Sequence, residues 1–355
     1  MQNLFHHADT PELISTKLES FLQEAIDNAQ AIHPDYARLW QTIQSLSTAG
    51  GKRLRPQMTI LAYEAFGGND TQSIIPVAVA QELLHLGLLV HDDIIDRDDI
   101  RYGVSNITGS YMQLYAPHVS DPHVRRHYSQ GAAILGGDLL LSGAYQCIAA
   151  SELSDTLKIK ATSLLSAGIF EVCGGELLDT EGAFKEFEKT DALLIARYKT
   201  ASYSFITPLV TGAALAGATE QQRMVLSKYS EILGIAYQLT DDIIGCFGDE
   251  ETTGKSSRGD IREGKHTYLI EKYLEITTVE QTDAFWDVFG NPHATHEEID
   301  HLKDAIAASG AKELTEQYVR TLSSHANELI SEMNVSVDKQ ATFKALIDKA
   351  TNRTF

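Results

Sequence analysis

The chain of 355 residues has only three cysteines, Cys147, Cys173 and Cys246, far apart and without a CxxC pair. That excludes a disulfide framework and a zinc cluster, and fits a reducing compartment. Positive charge is scarce too: 29 Lys+Arg against 49 Asp+Glu leave a formal charge of −20. A general nucleic-acid binder needs a basic footprint, which this chain lacks. A phosphate-bearing substrate stays open, because bound divalent cations invert the local charge. Only eight prolines punctuate the chain, with no low-complexity linker and no repeat of fixed period. No alternating run of apolar and polar residues is long enough to predict a sheet. The first residues, MQNLFHHADTPELISTKL, lack a basic segment followed by an apolar one, so no secretory signal is read there. Thr200–Thr219 carries no charge and Gly131–Ala150 only Asp138. Their small and hydroxyl-bearing residues fit buried helices better than membrane spans, so no transmembrane segment and a cytoplasmic location are expected.

What is present is helical period. Thr10-Pro11-Glu12 reads as a helix start, followed by Leu13, Ile14, Leu18, Phe21, Leu22, Ala25 and Ile26 at helical spacing. Thr295 and Glu298 form a capping box ahead of Ile299, Leu302 and Ile306, and Gly310 stops that helix. Leu314, Tyr318, Leu322, Leu329 and Met333 mark another. The expectation is an all-α fold, one large helical domain over residues 1–355. Loops are expected at Gly50-Gly51, at Gly67–Asp70, from Val104 to Gln130 and from Gly245 to Lys265.

Two aspartate-rich stretches interrupt the apolar pattern. In HLGLLVHDDIIDRDDIRYG, His85–Gly103, the residues Asp92, Asp93 and Asp96 lie among leucines and isoleucines. At about 100° per residue, His85, Asp92 and Asp96 fall within about 40° of one another on a helix. Carboxylates held so close repel, and burial raises their cost; a hard dication relieves both. All-oxygen ligation suits Mg²⁺, which keeps waters and shares phosphate oxygens. The second stretch, YQLTDDIIG, places Gln238, Asp241, Asp242 and Gly245 on one helical stripe. Two such pairs suggest two walls bridged by metal. The cations cluster in GGKRLRP (Lys52, Arg53, Arg55), at Arg101, at Lys199 before Thr200, and at Lys255 and Lys265. In so acidic a chain, basic residues beside glycines read as an anion site. GDIREGK, Gly259–Lys265, imitates a phosphate-binding P-loop, but His266 stands where Ser or Thr is required and no strand precedes it.

Taken in order, GGKRLRP, HDDIIDRDDIRYG, GELLD at Gly175–Asp179, YKT at Tyr198–Thr200 and YQLTDD resemble the trans-type isoprenyl diphosphate synthases, or polyprenyl synthetases. The resemblance covers roughly residues 35 to 275. It implies long helices around a central cavity, usually in a homodimer. It implies Mg²⁺-dependent head-to-tail condensation of isopentenyl diphosphate with an allylic diphosphate, with three Mg²⁺ ions gripping the allylic diphosphate. By position, Asp92, Asp96 and Asp241 resemble the metal ligands, supported by Asp93 and Asp242. Arg101, Lys199 and Lys255, with Lys265 nearby, resemble the allylic diphosphate clamp. Lys52, Arg55 and His85 resemble the isopentenyl diphosphate site. Thr200 and Gln238 resemble the polar groups that face the developing cation.

The chain departs from the family pattern at three positions. Tyr102 follows Arg101 where a second arginine is common, Gly245 replaces the usual third aspartate, and Glu176 stands where Gln is common. Gly87 and Leu88, just before the first aspartate motif, are not aromatic, which implies a geranylgeranyl or longer product. The departures also keep open a non-catalytic subunit that modulates a partner synthase.

Overall fold

The computed structural model describes residues 10–182, 191–248 and 257–352. They divide into two compact units: Met1–Ser163 with Thr211–Gly217, and Leu164–Val210 with Ala218–Phe355. Helices dominate both, as the apolar period requires.

The first unit is built from α1 (Thr10–Ile32), α2 (Pro34–Ala49), α3 (Leu54–Ala65), α4 (Thr71–Ile95), α5 (Ile107–Tyr115) and α6 (Pro122–Ala149). A two-residue hairpin, β1 (Ile100–Arg101) with β2 (Val104–Ser105), lies between α4 and α5. α4 packs along α6, and Leu83, Leu84, Val77 and Ala80 of α4 are fully buried beside Leu140 and Ala144 of α6. At Gly87 the two helices approach closely: a Cβ there would lie 3.2 Å from both the Gly137 carbonyl oxygen and Leu140 Cβ.

After α7 (Asp155–Gly182) come α8 (Ala192–Ile195), a π-helix (Ala196–Ile206), α9 (Thr207–Leu215) and α10 (Glu220–Phe247). Then follow α11 (Gly259–Glu263), α12 (Tyr268–Ile276), α13 (Val279–Val288), α14 (His296–Ser309), α15 (Ala311–Ile330) and α16 (Val337–Thr351). In the second unit α10 packs against the π-helix and α15. The Thr295–Glu298 capping box and the left-handed Gly310, φ 93°, bound α14 as the sequence suggests.

The long loop expected from Val104 to Gln130 is corrected: most of it is helix. Asn106 caps α5 by accepting from the Gly109 amide at 2.9 Å. Asp121 caps α6, with Pro122 in its first turn, where a missing N–H costs nothing. The hairpin went unread because two-residue strands leave no alternation. Three helices, α4, α6 and α7, are long and apolar enough to cross a membrane by length and composition alone. The apolar stretch of α4 is 72% buried inside the protein, so packing accounts for it. That of α7 is only 28% buried, and Phe170 on it is 82% exposed.

Candidate active site

The first acidic group sits where α4 ends. Asp96 is the C-cap, its amide bonded to the Asp92 carbonyl. Arg97 then turns left-handed at φ 60°, and the Asp98 amide returns to the Asp93 carbonyl at 2.9 Å. This Schellman-type closure stops the helix directly after the third aspartate. Asp92 and Asp96 are partly exposed, whereas Asp93 is buried. The hairpin swings Arg101 back over the helix end. Arg101 Nε donates to Asp93 Oδ1 at 2.6 Å and Nη2 donates to Asp92 Oδ2 at 3.1 Å. Burial works against the Arg101 charge, but Asp93 and Asp92 outweigh it and raise its pKa. Burial also pushes the Asp93 carboxyl up to about 6, against the pull of Arg101.

The basic loop belongs to the same unit. Arg53, left-handed at φ 49°, donates to Glu82 at 2.6 Å and to the Ser47 carbonyl. It therefore anchors the loop, while Lys52 is exposed. Burial, with Arg55, Arg101 and Arg53 close by, holds His85 well below the ordinary histidine pKa. A neutral imidazole beside three guanidinium groups is a setting that favours an anion.

The second acidic group lies in the other unit. Lys199 projects from the π-helix onto α7, where its ammonium meets Asp179 at 2.5 Å and Glu176 at 3.0 Å. The approach needs Gly175, since a Cβ there would lie 2.1 Å from the Lys199 backbone nitrogen. Opposite, a Cβ on Gly234 of α10 would lie 2.5 Å from Ala201 Cα. Two glycine notches thus seat the π-helix. Thr200 Oγ1 donates to Gln238 Oε1, and Gln238 Nε2 donates to Asp242 Oδ1 at 2.7 Å. Asp241, the residue before it on α10, is exposed. Burial, reinforced by Asp260, Asp241 and Asp179 against the Gln238 hydrogen bond, raises the Asp242 pKa well above the carboxylate range.

Asp260 was not foreseen. Its segment, GDIREGK, contains the single-turn helix α11, whose Ile261 is buried with Cys246, Phe285 and Phe289. Arg258 fixes the approach by a two-point pair with Asp300, 2.8 and 2.9 Å. Asp260 Oδ2 then lies 2.3 Å from where a Gly245 Cβ would be. Lys265 is 3.0 Å from Glu263 and 3.8 Å from Asp260. Lys255 lies outside the described residues.

Comparison with known proteins decides what these two groups belong to. The polyprenyl synthetase family model matches residues 37–306. The chain belongs to the polyprenyl synthetase family. A geranylgeranyl diphosphate synthase of Methanosarcina mazei is 33% identical over 80% of this chain and 79% of its own length. A geranylfarnesyl diphosphate synthase of Aeropyrum pernix is 30% identical over 91% of this chain and 96% of its own. Among solved structures, a geranylgeranyl pyrophosphate synthase of Corynebacterium glutamicum, complexed with isoprenyl diphosphate and magnesium, superposes with a TM-score of 0.90. It is 29% identical and covers 98% of this chain and 99% of its own. The protein is therefore an all-α prenyltransferase.

The donor set of this polyprenyl synthetase fits Mg²⁺. Asp92, Asp96, Asp241 and Asp242 offer carboxylate oxygen only, the chemistry of a hard dication. Among the described residues no three His, Cys, Asp or Glu side chains already form a metal site. Each helix end would contribute one or two carboxylates, leaving positions for water and diphosphate oxygens. Asp93 is placed differently from the other aspartates, as the buried anchor of Arg101.

Proposed function

We propose that this prenyltransferase condenses isopentenyl diphosphate head to tail with allylic diphosphates and makes geranylgeranyl or longer diphosphates. The observation that carries the reading is the pair of Asp-rich helix ends, each with its own cations, in a member of this family. Asp92 and Asp96 would hold Mg²⁺, as would Asp241 and Asp242, three ions in all. Bound Mg²⁺ supplies Lewis-acid stabilisation of the departing diphosphate. Lys199, Lys255, Lys265 and Arg101 hold that diphosphate. For Lys199 this means leaving Glu176 and Asp179, and for Arg101 a shared position between Asp92 and the substrate. Lys52, Arg55 and neutral His85 hold isopentenyl diphosphate.

In the reaction the allylic C–O bond breaks and both its electrons leave with diphosphate. The Thr200 hydroxyl and the Gln238 amide oxygen face the resulting allylic cation. The double bond of isopentenyl diphosphate attacks, forming the new C–C bond, and a proton passes to the released diphosphate. Positioning and electrostatic stabilisation carry the catalysis. The chain is expected to act as one catalytic body over residues 1–355, in the cytoplasm. Exposed apolar residues on α6 (Ile134, Leu135) and α7 (Phe170, Leu177) support a homodimer.

Purified protein with Mg²⁺, isopentenyl diphosphate and, separately, dimethylallyl, geranyl and farnesyl diphosphates tests the proposal by mass spectrometry. A chelator-sensitive ladder ending at C20 or beyond is the expected result. Silence with every primer from folded protein favours the modulating subunit, the reading that Tyr102 and Gly245 keep open.

A further inference from the structure

Tyr102 has a place that the aspartate chemistry does not explain. Ile100 pairs with Ser105 and Arg101 with Val104, which leaves Tyr102 and Gly103 as a two-residue turn. Their φ angles are 54° and 75°, both positive, as a type I′ turn requires. Asn, Asp or Gly suits the first of these positions; a bulky side chain there is an outlier that persists only where its surroundings fix it.

What fixes it is Gly50. The Gly50 backbone is extended, φ −170°, a conformation open to any residue, so space and not backbone demands the glycine. A Cβ on Gly50 would lie 2.7 Å from Tyr102 Cγ and 2.8 Å from Cδ1. The ring therefore rests directly on the start of the basic loop. Next to this contact Gly51 (φ 103°) and Arg53 (φ 49°) are both left-handed, and Arg53 is tied to Glu82 and Ser47. The loop is thus held in an unusual backbone from two sides, by the Arg53 anchor and by the Tyr102 ring. The same hairpin ties Arg101 to Asp93 and Asp92.

We propose that Tyr102 is a positioning residue for the isopentenyl diphosphate site: its ring, seated on Gly50 by the type I′ turn, presets the loop that carries Lys52 and Arg55. Where the family pattern has a second cation, this chain has a clamp that orders the remaining ones. The inference rests on the functional reading above.

Steady-state kinetics of Tyr102→Phe, Tyr102→Ala, Tyr102→Arg and Gly50→Ala test it. Loss of the ring, or of the space it occupies, should raise KM for isopentenyl diphosphate about tenfold, leaving kcat and KM for the allylic diphosphate within about twofold. Tyr102→Phe keeps the ring and should stay near wild type. An unchanged isopentenyl KM in Tyr102→Ala overturns the proposal. So does a parallel rise in both KM values, which would mark general damage. A Tyr102→Arg variant that binds isopentenyl diphosphate more tightly than wild type also overturns it, since a direct charge would then outdo the clamp. Amide hydrogen exchange, read without turnover, separates this idea from the functional reading. Tyr102→Ala should speed exchange across residues 50–57 and leave α10 unchanged even if no product forms. Unchanged exchange at residues 50–57 sinks the clamp whatever the enzyme makes.

Discussion

At the scale of single residues, charge is bought out of water and held for a partner. Asp242 is the clearest case: burial raises its pKa, and neighbouring carboxylates add to the cost. Its contribution to stability is fully present below the unfolded value of about 3.8 and is lost as pH rises through the folded pKa. Asp242→Asn keeps an oxygen that accepts from Gln238 Nε2 and removes the charge. The variant should melt about 2 °C higher than wild type at pH 7.5 without metal, while losing turnover; a lower melting temperature contradicts the assignment. His85 has the opposite dependence. Its folded pKa lies below 6.5 because of burial and then Arg55, Arg101 and Arg53. The stability it contributes is present above about pH 6.5 and is lost as pH falls through the folded value. The melting-temperature advantage of wild type over His85→Gln should therefore shrink between pH 7.5 and 5.5. The sequence already exposed these residues, since aspartate or histidine inside a leucine-rich helix has few neutral explanations. It did not expose the Arg101–Asp93 pair, which depends on a turn that brings the chain back over the helix end.

At the scale of elements, the close approaches are made by glycines. The π-helix carrying Lys199 and Thr200 is held between Gly175 and Gly234. Both obstacles to a side chain there are backbone or Cβ atoms, so neither can rotate away. Gly175→Ala should lower kcat by about two orders of magnitude by displacing Lys199 and Thr200. A thermal shift of only a few degrees is expected, as for overpacking of about 1–3 kcal/mol. Near-normal kcat would show that the notch is dispensable. Gly87 follows the same rule, which decides where product length can be tested. It faces Gly137 and Leu140 of α6, so Gly87→Tyr would part the helices. Leu88 lies one turn before Asp92 on the same stripe of α4 and is partly exposed. Leu88→Phe is therefore the substitution expected to shorten the product, read by mass spectrometry; an unchanged ladder places the floor elsewhere. Helices with a regular 3.6 period were legible in sequence, the Thr295–Glu298 capping box included. The π-helix was not, because its shifted hydrogen bonding leaves no distinct spacing of apolar residues. Nor was the helical content within residues 107–130, where glycines and prolines resemble loop punctuation but Asn106 and Asp121 act as caps.

For the whole molecule, a formal charge of −20 makes diphosphate binding depend on a dication that offsets the carboxylates, so metal and diphosphate should bind together. Mg²⁺ with inorganic pyrophosphate should raise the melting temperature, and neither alone should do so fully. At a hundredfold excess over Kd the gain is about 2.7 kcal/mol, or several degrees. Asp92→Ala or a chelator should abolish it; a persistent shift would mean that pyrophosphate binds without the aspartates. The family and the two acidic motifs were readable from residues alone, but Asp260 of the second group was hidden in a segment that resembles a P-loop. Its position beside Gly245 has a consequence for ancestry. A single change of Gly245 to aspartate would drive its Cβ into the carboxylate of Asp260. The atom met is the far end of a rotatable side chain, so Asp260 can turn aside, and crossing between the two motif forms costs a side-chain shift fifteen residues away rather than a second mutation.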